Sequence, residues 1–150
     1  MDAIMASVAG FTSSQIEIQT LYARQFVDIT DEVEQIIAES GIRDGLAVVA
    51  SQHTTAGITV NEHEPELFKD LDRFLDALAP SDDVYAHNSA PCGPDEHPNG
   101  HAHCQALLLS ATASLPVIGG RAVLGRWQRV FLVELDHARP RCVTVAVLGA

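Results

Sequence analysis

The sequence predicts an α+β domain with largely antiparallel sheets and two or three amphipathic helices. Three observations predict it. Short runs with period-2 alternation or continuous Val, Leu and Ile character occur toward both ends of the chain, two longer segments repeat apolar residues at helical spacing, and no βα unit recurs. A chain of 150 residues, 47% of them hydrophobic, is long enough to bury a real core and short enough for one domain. Neither an internal repeat nor a linker divides it.

The opening "MDAIMASVAG" carries Asp2 where a secretory signal would carry Lys or Arg, and no sustained apolar run follows, so residues 1–12 read as a loose arm and 13–150 as the domain. "SQIEIQT" alternates Ile16 and Ile18 with polar neighbours, the pattern of a half-buried strand, and "RQFVDI" reads as its hairpin partner. In "TDEVEQIIAESG", Asp31 and Glu34 have capping-box spacing, Val33, Ile36 and Ile37 share a face, and Gly41 stands just past the end; this is a short helix. "GLAVVAS" and "GITVNE" read as strands. "EPELFKDLDRFLDALAP" places Pro65 in the first turn and Leu67, Leu71, Phe74, Leu75 and Leu78 at helical spacing. From Pro80 to Gly100 the composition turns to Pro, Gly, Asp, Asn and His, and a loop beyond roughly 12–15 residues is uncommon unless it has a function. "CQALLLSATA" then reads as a helix beginning near His103, and "RAVLG", "RVFLVEL" and "RCVTVAVLG" as strands.

The balance of charge excludes some functions. With 20 acidic residues against 9 Lys and Arg, the formal charge of −11 repels nucleic-acid phosphates and anionic lipid. No apolar run approaches the roughly 18–20 residues of a membrane span. The three cysteines, Cys92, Cys104 and Cys142, are odd in number and lack CxxC spacing, which argues against a disulfide framework and for a reducing, cytoplasmic setting.

Chemistry concentrates in "SQHTTAGITVNE", "YAHN", "HPNGHAHCQ" and "GRWQRVFLVELDHARPR". Ser51, His53, Thr54 and Thr55 follow one strand, and Asn61 and Glu62 end the next; the plain alternative is a hairpin connection whose hydroxyls satisfy turn amides. His101 and His103 point to one face on a strand and about 200° apart on a helix. A helix starting near His103 places that ring at the positive end of the macrodipole, which favours neutral imidazole, and the long loop can bring His87 beside it. His97 and His101 read as solvated loop residues, and His63, between Glu62 and Glu64, as a surface residue. Arg139 and Arg141 flank Pro140, and arginine forks bind phosphate or carboxylate in bidentate fashion; the alternative is a salt bridge to Glu134 or Asp136. Trp127 and Gln128 are either a pocket wall or ordinary packing.

Taken together, "SQHTTAGITVNE", the pair His87 and Asn88, "NGHAHCQALLLS", "LPVIGGRAVLGRWQRVFLVELD" and "RPR" resemble the YjbQ-like family, whose members are described as secondary thiamine-phosphate synthases. The resemblance runs from about Ser13 to Val147. It implies an α+β fold, a homotrimer with the polar site near subunit contacts, a metal in some members, and a weak activity joining a pyrimidine pyrophosphate to a thiazole phosphate, both small phosphorylated metabolites. On that pattern His53, Glu62 and Glu134 are the catalytic candidates. Thr54, Asn61, Asn99, Trp127, Gln128, Arg139 and Arg141 are the candidates for substrate or phosphate. His53, His87 and His103 are the candidate ligands of a divalent ion, zinc being the first choice. The alternative is a metal- or metabolite-binding trimer whose synthase activity is incidental. The chain departs from the pattern at Arg126, where relatives carry Thr, at His137 and Ala138, where they carry Gly-Pro, and at Ser110, where they carry Gly.

Overall fold

Two antiparallel sheets lie face to face in a computed structural model that describes residues 10–90 and 97–150. In chain order the elements are β1 (Gly10–Gln19), β2 (Gln25–Asp28), α1 (Thr30–Ser40), β3 (Gly45–Ser51), β4 (Ala56–Glu62), α2 (Pro65–Leu78), a 3₁₀ turn (Ala86–Ser89), α3 (Gly100–Leu108), β5 (Thr112–Ile118), β6 (Arg121–Ala122), β7 (Gln128–Glu134) and β8 (Pro140–Gly149). The larger sheet has the order β1-β8-β3-β5-β6 and the smaller β2-β7-β4.

The burial pattern explains the layering. On β8, Arg141, Val143, Val145 and Val147 point inward and alternate with half-buried residues. They meet Ile16, Ala47 and Val49 of the same sheet, Ile58, Val130 and Leu132 of the smaller sheet, and Val33 and Ile37 of α1. The smaller sheet has a second apolar face. There Phe131, Val133 and Leu135 pack against Leu75 of α2 and Ala102 of α3, with Phe26 stacked on Phe68 at 5.0 Å between ring centres. β7 is therefore buried on both faces, which is why it reads as a continuous apolar run.

Several sequence expectations change here. β1 and β2 do not form a hairpin: β1 pairs with β8 and β2 with β7, because alternation reports which face is buried and not which strand lies alongside. The chain crosses between the sheets through Arg24, which has a left-handed φ of 56° and whose guanidinium is held by Asp72 and Asp76 of α2. β3 and β4 are likewise in different sheets, so residues 52–55 are a crossover and not a hairpin turn. Asp31 and Glu34 do not build the capping box. Asp28 does the work from two residues before the helix, accepting hydrogen bonds from the Thr30 N–H at 3.0 Å and the Thr30 hydroxyl at 2.6 Å. α3 begins at Gly100 and stops at Leu108; Ser110 forms an isolated bridge with Ile58, and the last two residues of the expected helix, Thr112 and Ala113, begin β5, where Ala113 pairs with Val49. Pro116, which has no N–H to give a helix, fits that strand. Of the segment expected as an arm, residues 10–12 belong to β1, and residues 1–9 lie outside the described residues.

α2 follows expectation in position but not in burial. Glu64 caps it through the N–H groups of Glu66 and Leu67, with Pro65 next. Leu75 is buried, yet Phe74 and Leu78 remain 58% and 53% exposed. Among the described residues no helix is long and apolar enough to cross a membrane.

Candidate functional site

The end of the inter-sheet core where β7 runs out and β8 begins is closed by polar groups. Glu134 and Arg141, both buried, form a two-pronged ion pair. Arg141 Nε donates to Glu134 Oε2 at 2.6 Å, and its Nη2 pairs with Oε1. The remaining capacity is filled: Oε2 accepts from the Thr20 hydroxyl at 2.9 Å, Oε1 from the Asp136 N–H at 3.0 Å, and Arg141 donates to the Thr55 hydroxyl at 3.0 Å. A buried charge pair persists only when its spare lone pairs and protons are satisfied, and this one is. Behind it, His53 Nε2 accepts the Cys142 N–H at 2.8 Å. Burial, joined by the charge of Arg141, pushes the His53 pKa down, so the ring is neutral with its proton on Nδ1.

Two residues beyond Glu134, Asp136 stands at the centre of a second group. Its side chain is fully buried while the rings around it are not. His97 Nε2 lies 2.8 Å from Oδ1, and on the other oxygen Asn99 Nδ2 donates at 3.2 Å, Arg139 Nη2 at 2.9 Å, and His137 Nδ1 lies at 3.2 Å. The same Arg139 Nη2 is 2.7 Å from His137 Nδ1. Burial works against the Asp136 charge, but the hydrogen bonds from Asn99, His137 and His97 outweigh it and hold the carboxyl below its ordinary range.

α3 completes the corner. Its backbone starts against the 3₁₀ turn, where Asn88 Oδ1 accepts the Gly100 N–H at 2.9 Å and Gly100 has no room for a side chain, since a Cβ would come 2.5 Å from Tyr85 Cβ. That start brings His103 to His87, ring centres 4.7 Å apart and nearly perpendicular. Burial, then the neighbouring His87, lowers the His103 pKa; burial also lowers that of His101, whose Nδ1 is buried without a partner.

The sequence candidates thus separate. His53, Thr54, Asn99, Glu134, Arg139, Arg141, His87 and His103 lie toward this end. Asn61, Glu62, Trp127 and Gln128 lie at the other end of the smaller sheet, where Glu62 pairs with Gln128, and six residues of strand put roughly 20 Å between the two ends. There Arg126 lies 4.7 Å over the ring of Trp127, which is 61% exposed, and Gln128 accepts the Gly125 N–H.

The metal set needs correction. His53, His87 and His103 are not brought within one donor group: His103 stands beside His87, while His53 turns its Nε2 to the Cys142 N–H. Among the described residues the group whose donor atoms lie within 4.8 Å of one another is His97, Asp136 and His137. Glu134 is also corrected from acid or base to structural partner of Arg141, as the salt-bridge alternative for the arginines foresaw. His97, read as a solvated loop residue, is tied to Asp136. Asp136 itself had a legible signal, an acid directly after an apolar run, but no residue pattern showed that the loop returns to it.

The arrangement can be set beside known proteins. The sequence profile of the UPF0047 YjbQ-like proteins matches residues 14–150. The chain belongs to the YjbQ-like UPF0047 family. A UPF0047 relative from Methanothermobacter thermautotrophicus is 35% identical over 137 residues, covering 91% of this chain and 92% of its own. The Bacillus subtilis UPF0047 protein YugU is 34% identical, covering 89% and 97%. Among solved structures, a YbjQ-like protein of unknown function from Sulfolobus solfataricus P2 superposes with a TM-score of 0.87 at 38% identity, covering 95% of this chain and 99% of that one. A hypothetical protein from Aeropyrum pernix K1 superposes with a TM-score of 0.85 at 34% identity, covering 93% and 99%. The α+β architecture of this chain is thus that of YjbQ-like proteins.

Proposed function

We propose that this protein is a transferase of the secondary thiamine-phosphate synthase type, acting on small phosphorylated metabolites at the Asp136 corner. The observation that carries the reading is Arg139: beside the first turn of α3 it presents a guanidinium that is one-third exposed and whose Nε is buried without a partner. Arg141, by contrast, is consumed by Glu134. In the condensation a bond forms between the methylene carbon of the pyrimidine and the thiazole nitrogen, the carbon–oxygen bond breaks, and pyrophosphate leaves with the electron pair. The thiazole nitrogen attacks with its own lone pair, so no group need remove a proton. The site then needs preorganised positive charge for the leaving oxygens rather than a free base, which suits a corner where Glu134 and His53 are already engaged. Arg139 would bind the anion, and Asn99 and the neutral His103 would orient it. A divalent ion, zinc being the first choice, would supply further Lewis-acid charge there, with His97, Asp136 and His137 as the residues to hold it.

The homotrimer belongs to the same proposal. Phe74 and Leu78 of α2 and Leu107 and Leu108 of α3 are exposed on the single chain, and Phe74 and Leu108 line one apolar pocket between the two helices, the kind of surface a second copy can cover. A cytoplasmic setting accords with Cys104 and Cys142 standing as free thiols.

The test is product formation by purified protein given both substrates. Arg139→Met and His103→Ala are expected to lower turnover on the order of 100-fold with the melting temperature retained, and light scattering should give three times the mass of the chain. Undiminished turnover in both variants overturns the reading. Binding of the phosphorylated compounds without product moves the conclusion to the second reading, a metabolite-binding trimer.

A further inference from the structure

We propose that His97, Asp136 and His137 form a transition-metal site of this chain's own, in which the Arg139 guanidinium is the resident cation and is exchanged for the ion. The inference deepens the reading of this corner as an anion-binding site.

The donor set is two imidazoles and one carboxylate, a combination that suits zinc and related divalent ions and leaves positions open for water or substrate. It is mounted unequally. Asp136 is fixed, its side chain buried and its backbone N–H tied to Glu134. His97 and His137 approach it from opposite oxygens, with ring centres 4.0 Å apart and planes 72° from each other. Both rings are about two-fifths exposed, which gives an ion a path in and the rings freedom to turn toward it.

Arg139 Nη2 already stands against two of the three donor residues, Asp136 and His137. A single nitrogen lies 2.9 Å from Asp136 Oδ2 and 2.7 and 2.8 Å from the two ring nitrogens of His137. The guanidinium fits this position poorly, because its Nε is left buried without an acceptor. A divalent ion bound to the same three donors puts like charge against the guanidinium and drives it out. Once out, Arg139 regains a free fork, the geometry that binds phosphate oxygens in pairs. Ion loading and anion binding are thereby coupled, and coupling of this kind is reciprocal.

Calorimetry with zinc chloride on the purified, chelator-treated full chain tests the site, and the visible spectrum after cobalt(II) substitution reports its ligands. One equivalent per chain is expected. His97→Ala and His137→Ala should each weaken binding by more than the roughly 10–100-fold that loss of a group behind a ligand costs, and His87→Ala with His103→Ala should leave it in place. Arg139→Met, which removes the resident cation, should tighten it. Pyrophosphate titrated with and without zinc should bind more tightly with it in the wild type, and this gain should shrink in Arg139→Met. Absence of stoichiometric zinc, or binding that survives in the His97/His137 variants, overturns the site. An unchanged or weaker zinc complex in Arg139→Met overturns the exchange. Zinc bound as described in a protein that forms no thiamine phosphate would overturn the transferase reading and leave this one standing.

Discussion

Arg141 and Arg139 stand two residues apart and have opposite fates. Arg141 sits on the inward face of β8 and finds Glu134 on β7, so the two charges neutralise each other where no water reaches. Removing one partner leaves the other charge buried and unpaired. Glu134→Gln and Arg141→Met are each expected to cost about 3–5 kcal/mol in urea unfolding, whereas the double change Glu134→Leu with Arg141→Met should recover most of that loss. If each single change costs less than about 1 kcal/mol, the pair is not what closes this end of the core. Arg139 lies outside the last paired residue of β8, and its one-third-exposed side chain reaches in to the buried Asp136, a position it can leave. The residue types of this pair of arginines were legible in the sequence, together with the salt-bridge alternative. Which arginine would be consumed was not, because the answer depends on which face of β8 points at β7.

At the level of elements, α3 shows how much a helix start decides. Its N-cap residue Asn99 makes no capping bond; its side chain is turned to Asp136, and Asn88 from the 3₁₀ turn takes the first free N–H instead. Asn88→Ala should therefore cost about 0.5–2 kcal/mol of stability, as loss of a cap does. Asn99→Ala should cost little stability, and its effect should appear in zinc or anion binding. Equal thermal shifts for the two variants would contradict this division. Helix position and apolar spacing were readable for α1 and α2. Strand partners were not, since hairpin neighbours in sequence went to different sheets, and the helix-to-strand change at Thr112 was hidden in a run of small and apolar residues that suits either state. Of the candidate site, the histidines of "HPNGHAHCQ" do not act as one group. His103 stands with His87, His97 with Asp136, and His53 belongs to the packing behind β8.

Across the whole molecule, Asp28 ties together elements that are distant in sequence. Its oxygens take the start of α1 through Thr30, Arg129 of β7 at 2.8 Å, and His63, before α2, at 2.7 Å. Burial opposes its charge, but the bonds from Arg129, Thr30 and His63 prevail, and its pKa lies far below the ordinary value. A carboxylate depressed in the folded state contributes stability that is fully present above its unfolded pKa of about 3.9 and is lost as pH falls through the folded value. Asp28→Asn should thus cost about 1.5–3 kcal/mol at neutral pH, and the gap between the two unfolding curves should close progressively below about pH 4. A constant gap down to pH 2 would show that the charge is not the source.

β7 lies between both apolar clusters, giving Val130 and Leu132 to one and Phe131 and Val133 to the other. Among the described residues the two clusters share this one strand, so the layers are expected to melt together. A single transition by circular dichroism and tryptophan fluorescence is the expected outcome, and a lesion in either cluster should be felt at the end of that strand.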